Sequence, residues 1–446
     1  MSGPPAPAKR LPGGERQVAV IGAGYVGLPT AAVLAHFGHR VVCAERDARR
    51  LALLRRGEMP IVEQGLGELV ASGTASGRLS FVESAVEAVK GAEFVFLCVP
   101  TPSGADGAAD LSFVEAAAEE IADHLERDAV VVNKSTVPVG TAALVSRVTG
   151  RNDVTVVSNP EFLREGTAVP DSLHPNRVVV GADDPVAATR VGELFAATGA
   201  PLIVTDTVTA ETIKYASNAF LATKLSFVNA LACLCESVGA DVRDLVLGLG
   251  YDKRIGFEFL RPGPGWGGSC LPKDTAALVQ IAQGAGYDFS LLRSAIAAND
   301  DQLERVVAKI ERAAGGLDGA TVAVWGLSFK AGTDDRRSSP AVDVAQRLRT
   351  AGARVRAYDP TVAVPEPGGR PDGDDLDGIE ICGDPYEACQ EARVVAILTE
   401  WDELRRVDLA KVRDLMASPS MVDTRNIMDP AAVRRFGFDY TGIGRP

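Results

Sequence analysis

VAVIGAGYVGLPT, residues 18–30, is the stretch on which the fold turns. A β-branched run breaks into Gly22-Ala-Gly24-Tyr25-Val26-Gly27, and a helical pattern follows. Gly22 permits a tight turn, Gly24 lets the backbone approach a pyrophosphate, and Gly27 lets helix and strand pack closely. Phosphates then sit at the positive end of the helix, beside Tyr25 and Val26. The next β-branched run, RVVCAE (40–45), ends at Glu45, where an acid accepts hydrogen bonds from an adenine ribose. Strand, loop, helix, strand and acid together specify a dinucleotide site. Glu45 favours NAD because it would repel a 2′-phosphate, although Arg46 beside it leaves room for NADP. The plainer alternative is a glycine turn kept for packing.

Outward from this unit, further β-branched runs alternate with helical stretches: EFVFLCV (93–99), AVVVNKS (129–135), VTVVS (154–158), RVVVG (177–181) and PLIVTD (201–206). Near-continuous apolar runs of this kind predict a mostly parallel sheet covered on both faces. Residues 207–315 hold no comparable run. Thr209 to Val238 reads as one long helix, with Thr209 as N-cap and Gly239 as stop. Ile213, Phe220, Phe227 and Leu234 recur every seven residues and predict its buried face. Such a helix suits a spine between domains or a dimer surface. From 320 the alternation returns in TVAVWG (321–326), ARVRAYD (353–359), GIEICG (378–383), ARVVAIL (392–398) and SMVD (420–423). The expected architecture is α/β: two Rossmann-like domains with parallel sheets, joined by a central all-helical domain built on a long helix. The expected divisions are a disordered leader 1–15, an NAD-binding domain 16–206, a helical dimerisation and catalytic domain 207–317, and a C-terminal Rossmann-like domain 318–446.

Composition narrows the partners. Lys and Arg number 46 against 59 Asp and Glu, a net charge of −13, which argues against nucleic acid or anionic membranes. Only four His are present, so chemistry built on several histidines is not expected. Pro and Gly in MSGPPAPAKRLPGGER stand where a signal peptide would be apolar, and no run of about 18 apolar residues marks a membrane span. Seven Cys without Cys-x-x-Cys spacing argue against zinc and against a disulfide framework, so a cytoplasmic protein without metal is expected.

Chemistry gathers in a few places. GPGWGGSCLPKD (263–274) delivers Cys270 at the start of a helix, with Asp274 one turn along the same face. Helix-start amides and Lys273 would lower the thiol pKa. The inert alternative, a buried thiol, fits Cys43, Cys98, Cys382 and Cys389. Lys214 and Asn218 form a polar i, i+4 pair on the long helix. In an apolar setting Lys214 could stabilise an oxyanion; otherwise it is a solvated surface lysine. Glu161 and Glu165 follow one strand end, and Lys134-Ser-Thr136-Val-Pro138 follows another, where sheets of this type place ligands.

Taken in order, these stretches resemble the UDP-glucose 6-dehydrogenase family of nucleotide-sugar dehydrogenases, from about Val18 to about Ile427. The carriers are GAGYVGLPT (22–30), KSTVPVGT (134–141), NPEFLREGTAV (159–169), IKYASNAFLATKLSFVN (213–229), RIGFEFL (254–260), GPGWGGSCLPKD (263–274) and GLSFKAGTDDRRSSPA (326–341). The resemblance implies a four-electron oxidation of a sugar CH2OH to carboxylate with two NAD. An aldehyde cannot give up a second hydride until a nucleophile adds, and Cys270 would add, giving a thiohemiacetal and then a thioester. Lys214 and Asn218 would stabilise the oxyanions. Asp274 and Thr136 would manage a bound water, and Glu161 would be the base for hydrolysis. Thr101, Thr136, Glu165 and Arg337 would reach the NAD. Phe162, Leu163, Arg164, Lys214, Asn218, Phe259, Gly267, Phe329 and Lys330 would line the nucleotide-sugar site, with Arg254 crossing a homodimer interface.

Departures from the family pattern are Glu45 for the usual Asp, Trp266 for a smaller aromatic beside the substrate, and Ser338 for an acid. The expected substrate is UDP-glucose. dTDP-glucose, UDP-N-acetylhexosamines and GDP-mannose are rivals. A two-electron hydroxyacid or sugar-phosphate dehydrogenase would need neither Cys270 nor the last domain. An NAD-sensing scaffold would leave the Cys/Lys/Asn/Asp set unemployed.

Overall fold

The structure, a computed structural model, describes residues 14–102, 104, 109–366 and 373–445. The expected leader falls outside them apart from its last two residues. Contacts divide the chain into two compact units, Met1–Ser217 and Asn218–Pro446. The division falls inside the long helix, and the helical segment after it groups with the C-terminal sheet.

The first unit holds eight strands: β1 (Gln17–Ile21), β2 (Arg40–Ala44), β3 (Leu79–Val82), β4 (Phe94–Leu97), β5 (Val130–Asn133), β6 (Thr155–Ser158), β7 (Val178–Gly181) and β8 (Leu202–Thr205). Their order is β3-β2-β1-β4-β5-β6-β7-β8, parallel except where β7 meets β6 at Ser158 and Gly181. The first six strands follow the doubly wound order, which reverses between β1 and β4 and opens a ligand crevice there. Both faces are covered, as the continuous apolar runs require. Val18, Val20, Phe94 and Phe96 pack into one core, and Ala19, Ile21, Val95 and Leu97 into the other.

The second unit holds β9 (Thr321–Trp325), β10 (Arg354–Tyr358), β11 (Glu380–Ile381), β12 (Val394–Ile397), β13 (Ser420–Asp423) and β14 (Asp439–Gly442). This all-parallel sheet repeats the order, β11-β10-β9-β12-β13-β14. Two strands lay outside the sequence reading, β3 and β14. Both are sheet edges, so their side chains alternate between buried and partly exposed instead of forming a continuous apolar run.

The long helix runs from Thr207 to Val238. Its cap is Asp206, not Thr209: the Asp206 carboxylate accepts from the Thr209 backbone N–H at 2.8 Å and its hydroxyl at 2.7 Å. Gly239 ends it at φ +76°. The seven-residue stripe is also corrected. Phe220, Phe227 and Leu234 are 69%, 57% and 53% exposed. The buried face is instead made of small residues such as Ala210, Ala222 and Ala232 together with Glu211, Lys214, Asn218, Ser226 and Asn229. This is the one helix among the described residues long and apolar enough to cross a membrane by length and composition. Its polar side chains are hydrogen-bonded inside the protein, the pattern of a core helix.

Candidate active site

The glycine loop fits a dinucleotide by steric necessity. Gly22 has φ +99°, and a Cβ there would lie 2.7 Å from the Cys98 carbonyl oxygen. A Cβ on Gly27 would lie 1.8 Å from the Gly22 carbonyl oxygen, whereas one on Gly24 would enter open space above the loop. The helix Gly27–His36 starts at Val26 with no side-chain cap, so the positive end of the helix lies at the loop, where Leu28 donates its N–H to the Gly24 carbonyl at 3.1 Å. Glu45 follows directly on β2 and is buried; it accepts from the Asp47 N–H at 2.9 Å. Arg50, which the sequence reading missed, stands 3.6 Å from the Glu45 carboxylate and donates to the Ala23 carbonyl at 2.9 Å. It ties the acid to the glycine loop.

At the carboxyl ends of β5 and β6 the first unit assembles a charged cluster. Lys214 Nζ donates to Glu161 Oε1 at 2.7 Å, and both side chains are about 95% buried. The lysine is therefore no solvated surface charge. Burial alone would raise the Glu161 carboxyl, but the Lys214 ammonium, the Leu163 N–H at 2.6 Å and the Lys134 charge hold it below the usual range. Glu161 is thus an ionised carboxylate. The Thr136 hydroxyl lies 3.5 Å from Glu161 Oε1, and Thr101 donates to the Thr136 carbonyl at 2.9 Å. Lys134 donates to Asn159 Oδ1 at 3.0 Å, bracing the two loops that carry Thr136 and Glu161. Its burial pushes its pKa down to about 8.

The loop after Glu161 is held from outside. Phe162 stacks on the Arg177 guanidinium at 3.7 Å. Arg164 is exposed and bidentate to Asp171. The Glu63 carboxylate accepts from the Gly166 and Ala168 N–H groups, fixing the turn that follows Glu165. Arg177 and Glu63 carried no motif that singled them out. Glu63 meets its partners more than a hundred residues away.

In the second unit Cys270 is the N-cap of the helix Leu271–Gly284, half-buried, with Ser269 Oγ 3.6 Å from its sulfur. Asp274 is fully buried and receives Asn218 Nδ2 at 2.5 Å and Lys273 Nζ at 2.7 Å. Lys273, expected near the thiol, is thus engaged by Asp274. Asn218 and Lys214 stand one turn apart on the long helix. Each is buried and each holds one carboxylate.

The glycines before Cys270 serve close packing. A Cβ on Gly267 would meet the Ser338 carbonyl at 2.1 Å, and one on Gly268 the Phe329 ring at 2.9 Å. Phe329 lies under Lys330, whose Nζ is 5.4 Å from the ring centroid. Arg337 is exposed and bidentate to Asp335. Arg254 is 89% exposed and paired with Asp252. Phe259 adopts φ +58°. Trp266 is buried: its indole N–H donates to Ser226 Oγ at 2.8 Å, which directs the ring into the helical core. All seven cysteines are free. Cys43, Cys98, Cys382 and Cys389 are buried, and burial raises their thiol pKa values, Cys98 to about 12 and Cys382 to about 11.

A dinucleotide cradle, a helix-start cysteine and buried lysine, asparagine and carboxylate groups define an NAD-dependent oxidoreductase. The comparisons narrow this. Residues 16–198, 208–301 and 323–430 match the NAD binding, central and UDP binding domains of the UDP-glucose/GDP-mannose dehydrogenase family, and the chain belongs to that family. It is 47% identical over 442 residues to a UDP-glucose 6-dehydrogenase of Rhizobium meliloti (strain 1021), covering 96% of this chain and all of the relative. It is 43% identical to the UDP-glucose 6-dehydrogenase TuaD of Bacillus subtilis (strain 168), covering 97% of this chain and 94% of the relative. Among solved structures, a UDP-glucose dehydrogenase from Pyrobaculum islandicum is 36% identical with a TM-score of 0.87, covering 97% of this chain and 98% of the other.

Proposed function

We propose that the protein oxidises C6 of UDP-glucose to the carboxylate of UDP-glucuronate, four electrons in all, through a thioester on Cys270. NAD, when bound, supplies the hydride acceptor. In this reading Lys214 and Asn218 donate hydrogen bonds to the sugar oxygen as negative charge develops on it. The Cys270 sulfur adds to the aldehyde carbon, which creates the tetrahedral centre from which the second hydride can leave. Asp274 and Thr136 orient the water that opens the thioester, and Glu161 takes its proton. The single observation that carries the reading is Cys270 at its helix start one turn ahead of Asp274, a fully buried carboxylate already held by Asn218.

The division of labour proposed is cofactor binding by 16–206, dimerisation and catalysis by 207–317 and nucleotide-sugar binding by 318–446. Lys330 and Phe329 would face the nucleotide, and Arg337 the cofactor. The exposed Phe220, Phe227 and Leu234 support a homodimer, since large apolar side chains on one helix face favour burial against another copy. Arg254, exposed in the same segment as the exposed Tyr251 and Phe257, would then reach its partner's site. Free cysteines fit a reducing cytoplasm.

Two NADH per sugar are expected, and Cys270→Ala abolishes uronate formation while NAD binding survives. One NADH with free aldehyde as the final product, or normal turnover by Cys270→Ala, would refute the thioester route. Rates on UDP-glucose, dTDP-glucose, UDP-N-acetylglucosamine and GDP-mannose rank the substrates; UDP-glucose is expected first.

A further inference from the structure

Asn133, the last residue of β5, is buried between Leu97 of β4 and Ser158 of β6. Its Nδ2 and Oδ1 both lie out of reach of any hydrogen-bond partner in the protein. A buried amide satisfied at neither end is costly and rare. The side chain lines a small chamber together with Ser135, Thr136, Ser158, Glu211 and Lys214. The chamber gives the centre of a water about 10 Å³ to move in, close to what one water needs; Val137 and Pro160 make part of its wall, and the Asn133 amide and the Thr136 hydroxyl are polar groups on it that a buried water could bond.

The neighbours are otherwise committed. Ser135 Oγ donates to the Val99 carbonyl at 2.7 Å, and Ser158 Oγ donates to Glu211 at 2.9 Å. Glu211 also accepts the Gly140 and Ala142 N–H groups, so its carboxylate is already well supplied with donors. The Thr136 hydroxyl is the loosely held member, at 3.5 Å from Glu161. An amide can offer a single water either a donor or an acceptor, so Asn133 can bind one water in whichever orientation Thr136 dictates.

We infer that the chamber is a water site anchored by Asn133, and that its water hydrogen-bonds Thr136 and fixes the hydroxyl on which thioester hydrolysis depends. Asn133 is thus a positioning residue, acting through water. The inference rests on the function proposed above, because Thr136 matters only if a thioester is opened.

The test combines a high-resolution crystal structure of the NAD-bound enzyme with pre-steady-state kinetics of Asn133→Leu and Asn133→Ser on UDP-glucose. A water within about 3.2 Å of the Asn133 amide and of Thr136 is expected. In Asn133→Leu, which keeps the side-chain size, the first burst of NADH is unchanged. Steady-state turnover falls about ten-fold, a cost in keeping with lost orientation, and acid quench traps an acyl adduct on Cys270. KM for both substrates stays near the wild-type value. Asn133→Ser, which leaves room for water and a hydroxyl to bind it, retains most activity. A dry chamber in the crystal overturns the inference, as does wild-type turnover by a folded Asn133→Leu. If Asn133→Leu does not fold, the crystal water and a wild-type-like Asn133→Ser decide. Failure of the underlying reading has a different signature: Cys270→Ala would turn over, whatever Asn133 binds.

Discussion

The two sheets share one strand order and treat the same position in opposite ways. In the first, Glu45 follows directly on β2; in the second, Asp359 follows directly on β10. In both, the glycine after the first strand donates its N–H to the last residue of the neighbouring strand, Gly22 to Ala44 and Gly326 to Tyr358. There the likeness stops. Glu45 stays beside an open glycine cradle, lightly held by Asp47 and Arg50. Asp359 turns inward and accepts from the Leu327 and Ser328 N–H groups, the Ser328 hydroxyl and the Trp401 indole, with Thr361 on its other oxygen. The second cradle carries its own anion. One fold thus yields a socket for a phosphate where the loop is left open, and a structural plug where a carboxylate closes it.

Substitutions can break or sharpen this contrast. The largest effect is expected from Gly27→Ala, whose Cβ would collide with the Gly22 carbonyl; NAD binding should weaken by about a hundred-fold or more, measured by calorimetry. Asp359→Ala should cost about 3 kcal/mol of unfolding free energy and leave NAD affinity unchanged, because it strands buried donors far from the cofactor loop in sequence. A fall in NAD affinity larger than the loss of stability would break the comparison. The Asp359 contribution also has a pH signature. Burial works against its ionisation, but the Ser328, Thr361 and Leu327 donors more than offset this and hold its pKa below the usual range. Its stabilisation is therefore complete above the unfolded value of about 3.9 and is lost as pH falls through the folded value. Acid denaturation of Asp359→Ala against wild type shows the difference.

Lys134 gives the reverse dependence. Its folded pKa of about 8 lies below an unfolded value of about 10.4, so the wild type gains up to about 3 kcal/mol as pH rises between them. Lys134→Met should lack this rise in chemical denaturation at each pH. The smallest effect is expected from Glu45→Ala: about ten-fold weaker NAD binding and little change in stability.

Features written in contiguous residues were legible in the sequence, and those made by distant partners were not. The glycine loop, Glu45 and the Cys270 loop each carry their meaning within a few positions. The Lys214–Glu161 and Asn218–Asp274 pairs join residues 53 and 56 apart, and only the family resemblance brought these residues into one list. Asn133, Arg177 and Glu63 sit in unremarkable strings and are defined by neighbours on other elements. The long helix misled because large apolar residues at seven-residue spacing suggest a core, while the buried face is built from alanines and satisfied polar groups. The edge strands β3 and β14 were missed because solvent on one side interrupts the apolar run that marks their central neighbours.

Glu211 sits in the first turn of the long helix and clamps the start of the helix Thr141–Thr149 through the Gly140 and Ala142 N–H groups. The clamp makes the long helix a ruler with its zero mark fixed. Lys214 and Asn218 are read off at three and seven residues from that mark, and their angular offset is set by helical pitch, not by any loop. One residue inserted between Glu211 and Lys214 would leave the clamp in place and swing Lys214 by about 100° away from Glu161. The placing of Lys214 is therefore gauged by counting residues, and this stretch can tolerate changes of side chain on its outer face far better than a change in its length.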